Sequence, residues 1–192
     1  MTQIIKELRE LTGAGLMDIK DALETVGEDK EKVIEYLRKK GSLKMSKKAD
    51  RVANEGVVET YVHAGGKIGV MVELNCETDF VARTDDFKAL AKDIALHIAA
   101  ANPLYVNVED VPTEVIEKEK EIAKESLTGK PDNVVEQILQ GKVAKYLEEV
   151  ALMEQSYVKD PNIKIKDMLG AVTGKLGEKI SIKRFARFVL GN

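Results

Sequence analysis

The chain has 192 residues, of which 44% are hydrophobic and 33% are charged, so it is long enough to bury a real core in one domain or two. Its 30 basic and 33 acidic residues give a net charge of −3, which argues against a general DNA or RNA binder, because such proteins carry a basic surface. A single cysteine excludes an intrachain disulfide and a multi-cysteine metal site, and without a charged-then-apolar leader or a long apolar run we expect a cytoplasmic protein.

The first 41 residues predict a helical docking domain. Apolar residues recur at helical spacing within residues 4–11, 16–26 and 33–37, with a tight turn at residues 12–15. Gly27 and Gly41 are predicted to end the second and third helices. A bundle of three short helices resembles the ubiquitin-associated fold, which supports a small docking module without naming its partner.

A basic segment overlaps the end of this bundle, and residues 42–55 are interpreted as a linker helix. Between residues 38 and 51 a single acid, Asp50, accompanies the basic residues Arg38, Lys39, Lys40, Lys44, Lys47, Lys48 and Arg51. Two interpretations stay open. The segment either contacts RNA or an acidic protein, or it is a solvated helical connection.

Residues 56–192 predict an α+β core domain. Val58, Thr60 and Val62 alternate with polar positions, and a second alternating run at residues 68–74 follows a turn containing two glycines, which indicates a hairpin. Thr84 is predicted to cap the next helix, with Asp85 in its first turn. The apolar face of that helix should pack across the hairpin and comprises Phe87, Leu90, Ala91, Ile94, Ala95, Ile98 and Ala99.

The second half of this domain predicts a helical hairpin at about residues 113–153, an amphipathic helix at residues 165–176 and a last strand. Alternation in that strand slips between Lys183 and Phe188, which indicates a β-bulge. The predicted fold is therefore α+β: a three-helix bundle resembling the ubiquitin-associated fold, then a small antiparallel sheet of about three strands packed with helices, and a helical hairpin.

The candidate site lies where the second strand of the hairpin breaks into polar residues. Thr78, Asp79, Phe80 and Val81 form this connection, in which a lone phenylalanine has no local reason to be present. Binding residues concentrate on connections that a rigid scaffold holds. In the alternative interpretation, Phe80 and Val81 fold back as the first turn of the next helix and cover the core.

Three motifs resemble one known family. Residues 75–82 (NCETDFVA) resemble the signature of bacterial elongation factor Ts in its short form. Residues 11–23 (LTGAGLMDIKDAL) resemble its N-terminal motif, and residues 184–188 (RFARF) resemble its closing strand. The resemblance covers the whole chain, with the motifs in the expected order. It implies a guanine nucleotide exchange factor that releases GDP from elongation factor Tu, the GTPase that delivers aminoacyl-tRNA, and it implies no enzyme, because no bond is made or broken.

The resemblance also implies roles for particular residues. Thr78, Asp79, Phe80 and Val81 would insert into the GTP-binding domain of elongation factor Tu and disturb its Mg²⁺ and phosphate contacts. The N-terminal bundle would dock separately on the same domain, through Gly13, Gly15, Leu16 and Met17. Longer relatives carry a core of two similar halves, whereas this chain has one hairpin and one closing strand. A homodimer would restore the second half.

Catalytic and cofactor chemistry is mostly absent from the sequence. His63 and His97 are not at metal-ligand spacing to Cys76, and residues 170–175 (GAVTGK) have three intervening residues where a phosphate loop needs four. We therefore expect no metal, no cofactor and no direct binding of nucleotide, DNA or membrane. Two alternatives remain: a ribosome- or RNA-associated adaptor using residues 38–51, and an enzyme with Cys76 as its only candidate nucleophile.

Overall fold

The structure is a computed structural model that describes residues 2–125, 127 and 131–191. Over these residues the chain forms α-helices and short β-strands, and the predicted α+β class is confirmed. The helices are α1 (Thr2–Thr12), α2 (Leu16–Val26), α3 (Lys30–Ser46), α4 (Asp79–Ala82), α5 (Asp85–Ala101), α6 (Thr113–Glu125), α7 (Asp132–Val150) and α8 (Ile165–Leu176). The strands are β1 (Glu55–Val62), β2 (Ile68–Cys76), β3 (Ser156–Tyr157), β4 (Asp160–Lys164) and β5 (Ser181–Val189).

The chain divides into two compact units. The first unit contains the residues up to Ala99 together with those from Lys166 onward, and the second contains residues 100–165. Both predicted groups of site residues belong to the first unit.

Helices α1, α2 and α3 form the predicted bundle around a small core. Leu8, Ile19, Ala22 and Val33 are fully buried there, and partly buried apolar side chains surround them. Gly27 ends α2 as predicted, with a φ of 81° and its N–H donating to Leu23 O. The three helices are confirmed, and the likeness to the ubiquitin-associated fold stays a prediction.

The prediction that Gly41 ends the third helix is wrong. Helix α3 continues through Gly41 to Ser46, and Gly41 is buried inside it. The reason is a close approach to α8: a Cβ added at Gly41 would lie 3.2 Å from both the carbonyl carbon and the oxygen of Gly170. Gly41 therefore serves packing between two helices, which a local sequence pattern does not reveal.

The antiparallel sheet has the order β1-β2-β5. Gly65 and Gly66 supply the positive φ angles of the predicted hairpin turn. In the pairing of β2 with β5, Glu73 lies opposite Arg184 and Leu74 opposite Ile182, so Lys183 is the extra residue of a bulge. Both the hairpin and the bulge are confirmed.

The main core lies on one side of this sheet. Val70, Val72 and Leu74 of β2 point to that side, and every residue of the predicted apolar face of α5 is buried. Arg187 of β5 donates two hydrogen bonds to Ala99 O at the end of α5. The core thus fixes β2, which ends directly at the candidate site.

The second unit contains the predicted helical hairpin, formed by α6 and α7. A feature that the sequence did not predict is the small pair of strands β3 and β4, in which Tyr157 lies opposite Asp160. Its strands are too short to show alternation, and Pro161 within β4 argues against a strand.

Candidate functional site

The predicted connection after β2 is a single turn of helix, α4. Thr78 caps it, because its Oγ1 accepts a hydrogen bond from Val81 N at 3.4 Å. The N–H groups of Ala82 and Arg83 donate to the carbonyls of Thr78 and Asp79. The backbone of the site therefore forms one hydrogen-bonded helical turn.

Phe80 projects from this turn into solvent and is 77% exposed. Its neighbour Asp79 is half-buried, and its Oδ2 lies 2.8 Å from Arg83 Nη2. Ala82 points inward and is buried, and Val81 is half-buried. The alternative in which Phe80 covers the core is wrong, because α4 presents its aromatic ring to water next to a carboxylate.

A second set of residues, missed by the sequence reasoning, holds the turn in place. The carboxylate of Glu178, in the connection between α8 and β5, accepts hydrogen bonds from Glu77 N at 3.2 Å, Thr78 N at 3.0 Å and Thr78 Oγ1 at 2.7 Å. In return, Glu77 Oε1 accepts from Lys179 N at 2.6 Å. We call Glu77, Thr78, Glu178 and Lys179 the carboxylate clamp. No local signal marks it, because its two halves are far apart in the sequence.

The electrostatics around Glu77 favour its ionised carboxylate. The hydrogen bond from Lys179 N lowers the pKa of the Glu77 carboxyl, partial burial opposes this, and Arg51 Nη1, 3.3 Å from Glu77 Oε1, lowers it further. Ionised carboxylates accept hydrogen bonds more strongly than neutral ones. The lowered pKa of Glu77 therefore strengthens its hydrogen bond with Lys179 N.

The basic segment of residues 38–51 makes many contacts within the first unit. Lys48 Nζ donates to Gly177 O at 2.6 Å, and the carbonyls of Ala49 and Arg51 accept from Lys179 Nζ. Lys40 and Lys44 both form ion pairs with Asp18. These contacts favour the interpretation of the segment as a structural connection over its use as an open RNA contact. The predicted linker helix at residues 42–55 is present only to Ser46, as the end of α3, and β1 begins at Glu55.

The other predicted site residues lie at the turn between α1 and α2. Gly13 has a φ of 65°, and Gly15 directly precedes α2. Leu11, Leu16 and Met17 are all exposed, and Met17 has 75% of its surface accessible to solvent. Leu11, Leu16 and Met17 form what we call the α1–α2 patch. The predicted site residues thus lie on two separate elements, one in the bundle and one between β2 and α5.

Cys76 is buried, and its Sγ donates a hydrogen bond to Thr78 O at 3.1 Å. Burial, with a smaller contribution from the charge of Glu178, raises the pKa of the thiol to about 11. The thiol is therefore protonated at neutral pH, which is unfavourable for a nucleophile. Its observed contact is with the backbone of the α4 turn.

The described part of the chain lacks three further features, namely a metal-binding cluster, a membrane-spanning helix and a phosphate loop. There, no group of three or more His, Cys, Asp and Glu side chains is arranged to hold a metal ion. No helix in the described ranges is both long and apolar enough to cross a membrane. Residues 170–175, which partly match a phosphate loop, lie inside α8, so their backbone N–H groups are not arranged as a loop around an anion.

Comparison with known proteins gives consistent results over nearly the whole chain. The model of the family described as "Elongation factor TS" matches residues 2–192. The chain is 57% identical to elongation factor Ts of Carboxydothermus hydrogenoformans over 192 residues, covering 99% of this chain and 88% of that protein. Elongation factor Ts of Geobacter sulfurreducens is 56% identical over 189 residues, covering 97% and 88%, and that of Thermotoga petrophila is 54% identical over 188 residues, covering 98% and 94%.

Proposed function

The chain belongs to the elongation factor Ts family, and we propose on this premise that it is a guanine nucleotide exchange factor for elongation factor Tu. It promotes release of GDP from that GTPase during translation elongation in the cytoplasm. It makes and breaks no bond, and it requires no cofactor of its own. The observation that supports this role best is the exposure of Phe80 on an ordered turn beside Asp79.

The exposed ring of Phe80 is suited to a partner rather than to the protein's own core. Burying a phenylalanine side chain is worth about 1.5 to 3 kcal/mol, and this free energy is unused in the isolated protein. In the proposed mechanism Thr78, Asp79, Phe80 and Val81 enter the GTP-binding domain of elongation factor Tu. Mg²⁺ bridges phosphate and protein oxygens there, so displacing its surroundings weakens retention of GDP.

Phe80 is one contributor among several. The free energy of its burial corresponds to roughly a 10- to 150-fold effect on affinity. Further contacts must also favour the nucleotide-free form of elongation factor Tu. By thermodynamic linkage, bound GDP then weakens the binding of this protein by the same factor by which this protein weakens the binding of GDP.

The N-terminal helical domain, residues 1–41, supplies a second contact in this proposal. The α1–α2 patch offers exposed apolar side chains, and Gly13 and Gly15 shape the turn that carries Leu16 and Met17. Two separate contacts on one partner domain allow one to anchor the complex while the other enters the nucleotide site.

A homodimer is part of the proposal as well. The side of the sheet opposite the main core carries exposed apolar side chains, among them Val58, Val62, Met71 and Phe188. A second copy of the chain would cover them and would supply the second half-core found in longer relatives. Sedimentation equilibrium tests this point, and a monomer at micromolar concentration with full exchange activity would refute it.

The proposed function is tested by release of a fluorescent GDP analogue from purified elongation factor Tu. We expect strong acceleration by the wild-type protein and at least a tenfold loss with Phe80→Ala. Leu43→Ala is the matched control, because Leu43 is also a large apolar residue with an exposed side chain, 62% exposed on α3, and lies outside the proposed site. Acceleration that survives Phe80→Ala would refute the site, and the absence of acceleration by a folded wild-type protein would refute the function.

A further inference from the structure

We infer that Glu178 is a positioning residue for nucleotide exchange: its carboxylate holds the α4 turn in the conformation that presents Phe80 and Asp79 to the partner. This inference rests on the proposed function and assigns a role to a residue outside the α4 turn itself. Glu178 lies in the connection before β5 and is half-buried. Its carboxylate touches the site only through the backbone of Glu77 and through Thr78.

The geometry assigns Glu178 to the start of the turn. Its Oε2 accepts from the backbone N–H groups of Glu77 and Thr78, and its Oε1 accepts from the hydroxyl of Thr78. Thr78 is also the cap of α4, since its Oγ1 accepts from Val81 N. One carboxylate therefore fixes both the backbone before α4 and the rotamer of its capping side chain.

The hydrogen bonds between residues 77–78 and residues 178–179 run in both directions, which fixes the position of one segment relative to the other. Glu77, one residue before Thr78, accepts from Lys179 N, one residue after Glu178. Arg51 then contacts the Glu77 carboxylate from a third segment of the chain. The segment of Glu77 and Thr78 and the segment of Glu178 and Lys179 each donate a backbone N–H and each supply a carboxylate. A shift of one segment relative to the other would therefore break the hydrogen bonds to both carboxylates.

The energetics favour a positioning role over a purely structural one. Hydrogen bonds to an ionised acceptor are roughly twice as strong as those between neutral groups. Three of them converge on Glu77 and Thr78, directly before a helix of only four residues, which has little intrinsic stability of its own. None of the residues that make these contacts is among the largest fully buried side chains of the core, such as Phe87 and Ile94 of α5.

Loss of Glu178 should appear in a particular kinetic parameter. A binding element that is competent only part of the time has its apparent affinity reduced by that fraction. Once the partner is bound, the turn is held in place in the Glu178 variant as in wild type, so the step in which GDP leaves proceeds at the wild-type rate. The inference therefore predicts a raised KM for GDP-bound elongation factor Tu, with little change in the rate of GDP release at saturation.

The test compares Glu178→Ala with a matched control, Asp86→Ala. Asp86 of α5 pairs with Lys175 of α8 at 2.7 Å, so it also links segments next to the site, but it makes none of the contacts of the carboxylate clamp. We expect Glu178→Ala to raise KM about 5- to 30-fold and to change the saturated rate less than twofold, whereas Asp86→Ala leaves both within twofold. Glu178→Gln should restore most of the loss, since its carbonyl accepts from both N–H groups and its amide donates to Thr78 Oγ1.

A second comparison separates positioning from a general loss of structure. In a background carrying both Asp79→Ala and Phe80→Ala, the turn has nothing left to present, so adding Glu178→Ala should cause less than a twofold further loss. Hydrogen exchange of the Glu77 and Thr78 amides should accelerate in Glu178→Ala, with exchange in α5 unchanged. If Glu178→Ala does not fold, Glu178→Asp carries the same test, because its shorter side chain cannot keep all three contacts.

The outcomes distinguish the inference from the proposed function. A wild-type protein that does not accelerate GDP release refutes the function itself. Normal wild-type acceleration together with an unchanged KM in folded Glu178→Ala refutes only the positioning role. A full loss that persists in the Asp79→Ala, Phe80→Ala background also refutes it, because Glu178 would then act through another part of the molecule.

Discussion

Gly41 of α3 and Gly170 of α8 pack against each other backbone to backbone, so closely that a Cβ at either position would make an unusually tight contact. A Cβ at Gly41 would lie 3.2 Å from the Gly170 carbonyl, and a Cβ at Gly170 would lie 3.3 Å from the carbonyl carbon of Gly41. The atoms that would be met belong to backbone and not to a flexible side chain. The backbone would have to move by a few tenths of an ångström to accommodate a methyl group, and α3 meets α8 through this backbone contact.

We predict that Gly41→Ala lowers the free energy of unfolding by up to about 2 kcal/mol. Alanine is favoured over glycine in a helix by up to about 1 kcal/mol, but overpacking costs about 1 to 3 kcal/mol. Gly174→Ala in α8 is the control, since its Cβ would meet only the flexible side chain of Lys44, at 3.6 Å. We expect this variant to raise the free energy of unfolding. Urea denaturation measures both. Equal stabilisation by the two variants would contradict the close packing.

We predict a larger loss for Gly56→Ala at the start of β1. Gly56 has a φ of 147°, and a Cβ there would lie only 2.1 Å from Leu74 O of the neighbouring strand. The strand would have to move away from β2, so we expect a loss of about 3 kcal/mol or more in the free energy of unfolding. Gly69→Ala, in the same hairpin with open space around it, should change it by less than 1 kcal/mol. A thermal midpoint of Gly56→Ala equal to that of Gly69→Ala would refute this.

A third prediction concerns the α1–α2 patch. Met17→Ala should leave the free energy of unfolding within about 0.5 kcal/mol of wild type, because its side chain is largely in water. If the patch docks on elongation factor Tu, the KM for exchange should rise about 3- to 10-fold while the saturated rate is kept. Leu43→Ala on α3 serves as the control and should have a normal KM. A wild-type KM for Met17→Ala would remove this residue from the proposed docking surface.

The parts of the fold that were predicted are those with a local signal. The buried face of α5 follows from its helical period, and the bulge at Lys183 follows from a slip in alternation. The hairpin of β1 and β2 follows from its paired glycines. At the site, Phe80 stood out because an aromatic residue in a polar connection has no local role, and its exposure agrees with that reasoning.

The parts that were not predicted depend on contacts between distant segments. Gly41 looks like a helix end in the sequence because glycine commonly ends helices, and only Gly170, far along the chain, explains its place inside α3. Glu178 has the same character. A glutamate after a glycine looks like a surface residue, and its three hydrogen bonds to the α4 turn exist only once β2 and the end of α8 are brought together.

The last prediction concerns the pH dependence of stability at Asp18 in the bundle. Partial burial acts to raise the pKa of its carboxyl, but the hydrogen bonds and charges of Lys44 and Lys40 outweigh this, so the pKa is lowered. A carboxyl whose pKa is lower in the folded state stabilises the protein above its unfolded pKa of about 3.9. That contribution is lost as the pH falls through the folded value.

We therefore expect Asp18→Asn to be less stable than wild type by about 1 kcal/mol at pH 7, because it removes the charge that two lysines share. The difference should stay constant down to about pH 5 and shrink as the pH falls below about 3.9, because the carboxyl is protonated first in the unfolded chain and in the folded protein only at its lower pKa. Urea denaturation of both proteins from pH 7 to pH 3 measures the difference. A gap that keeps its size at pH 3 would show that Asp18 stabilises the bundle by packing and not by its charge.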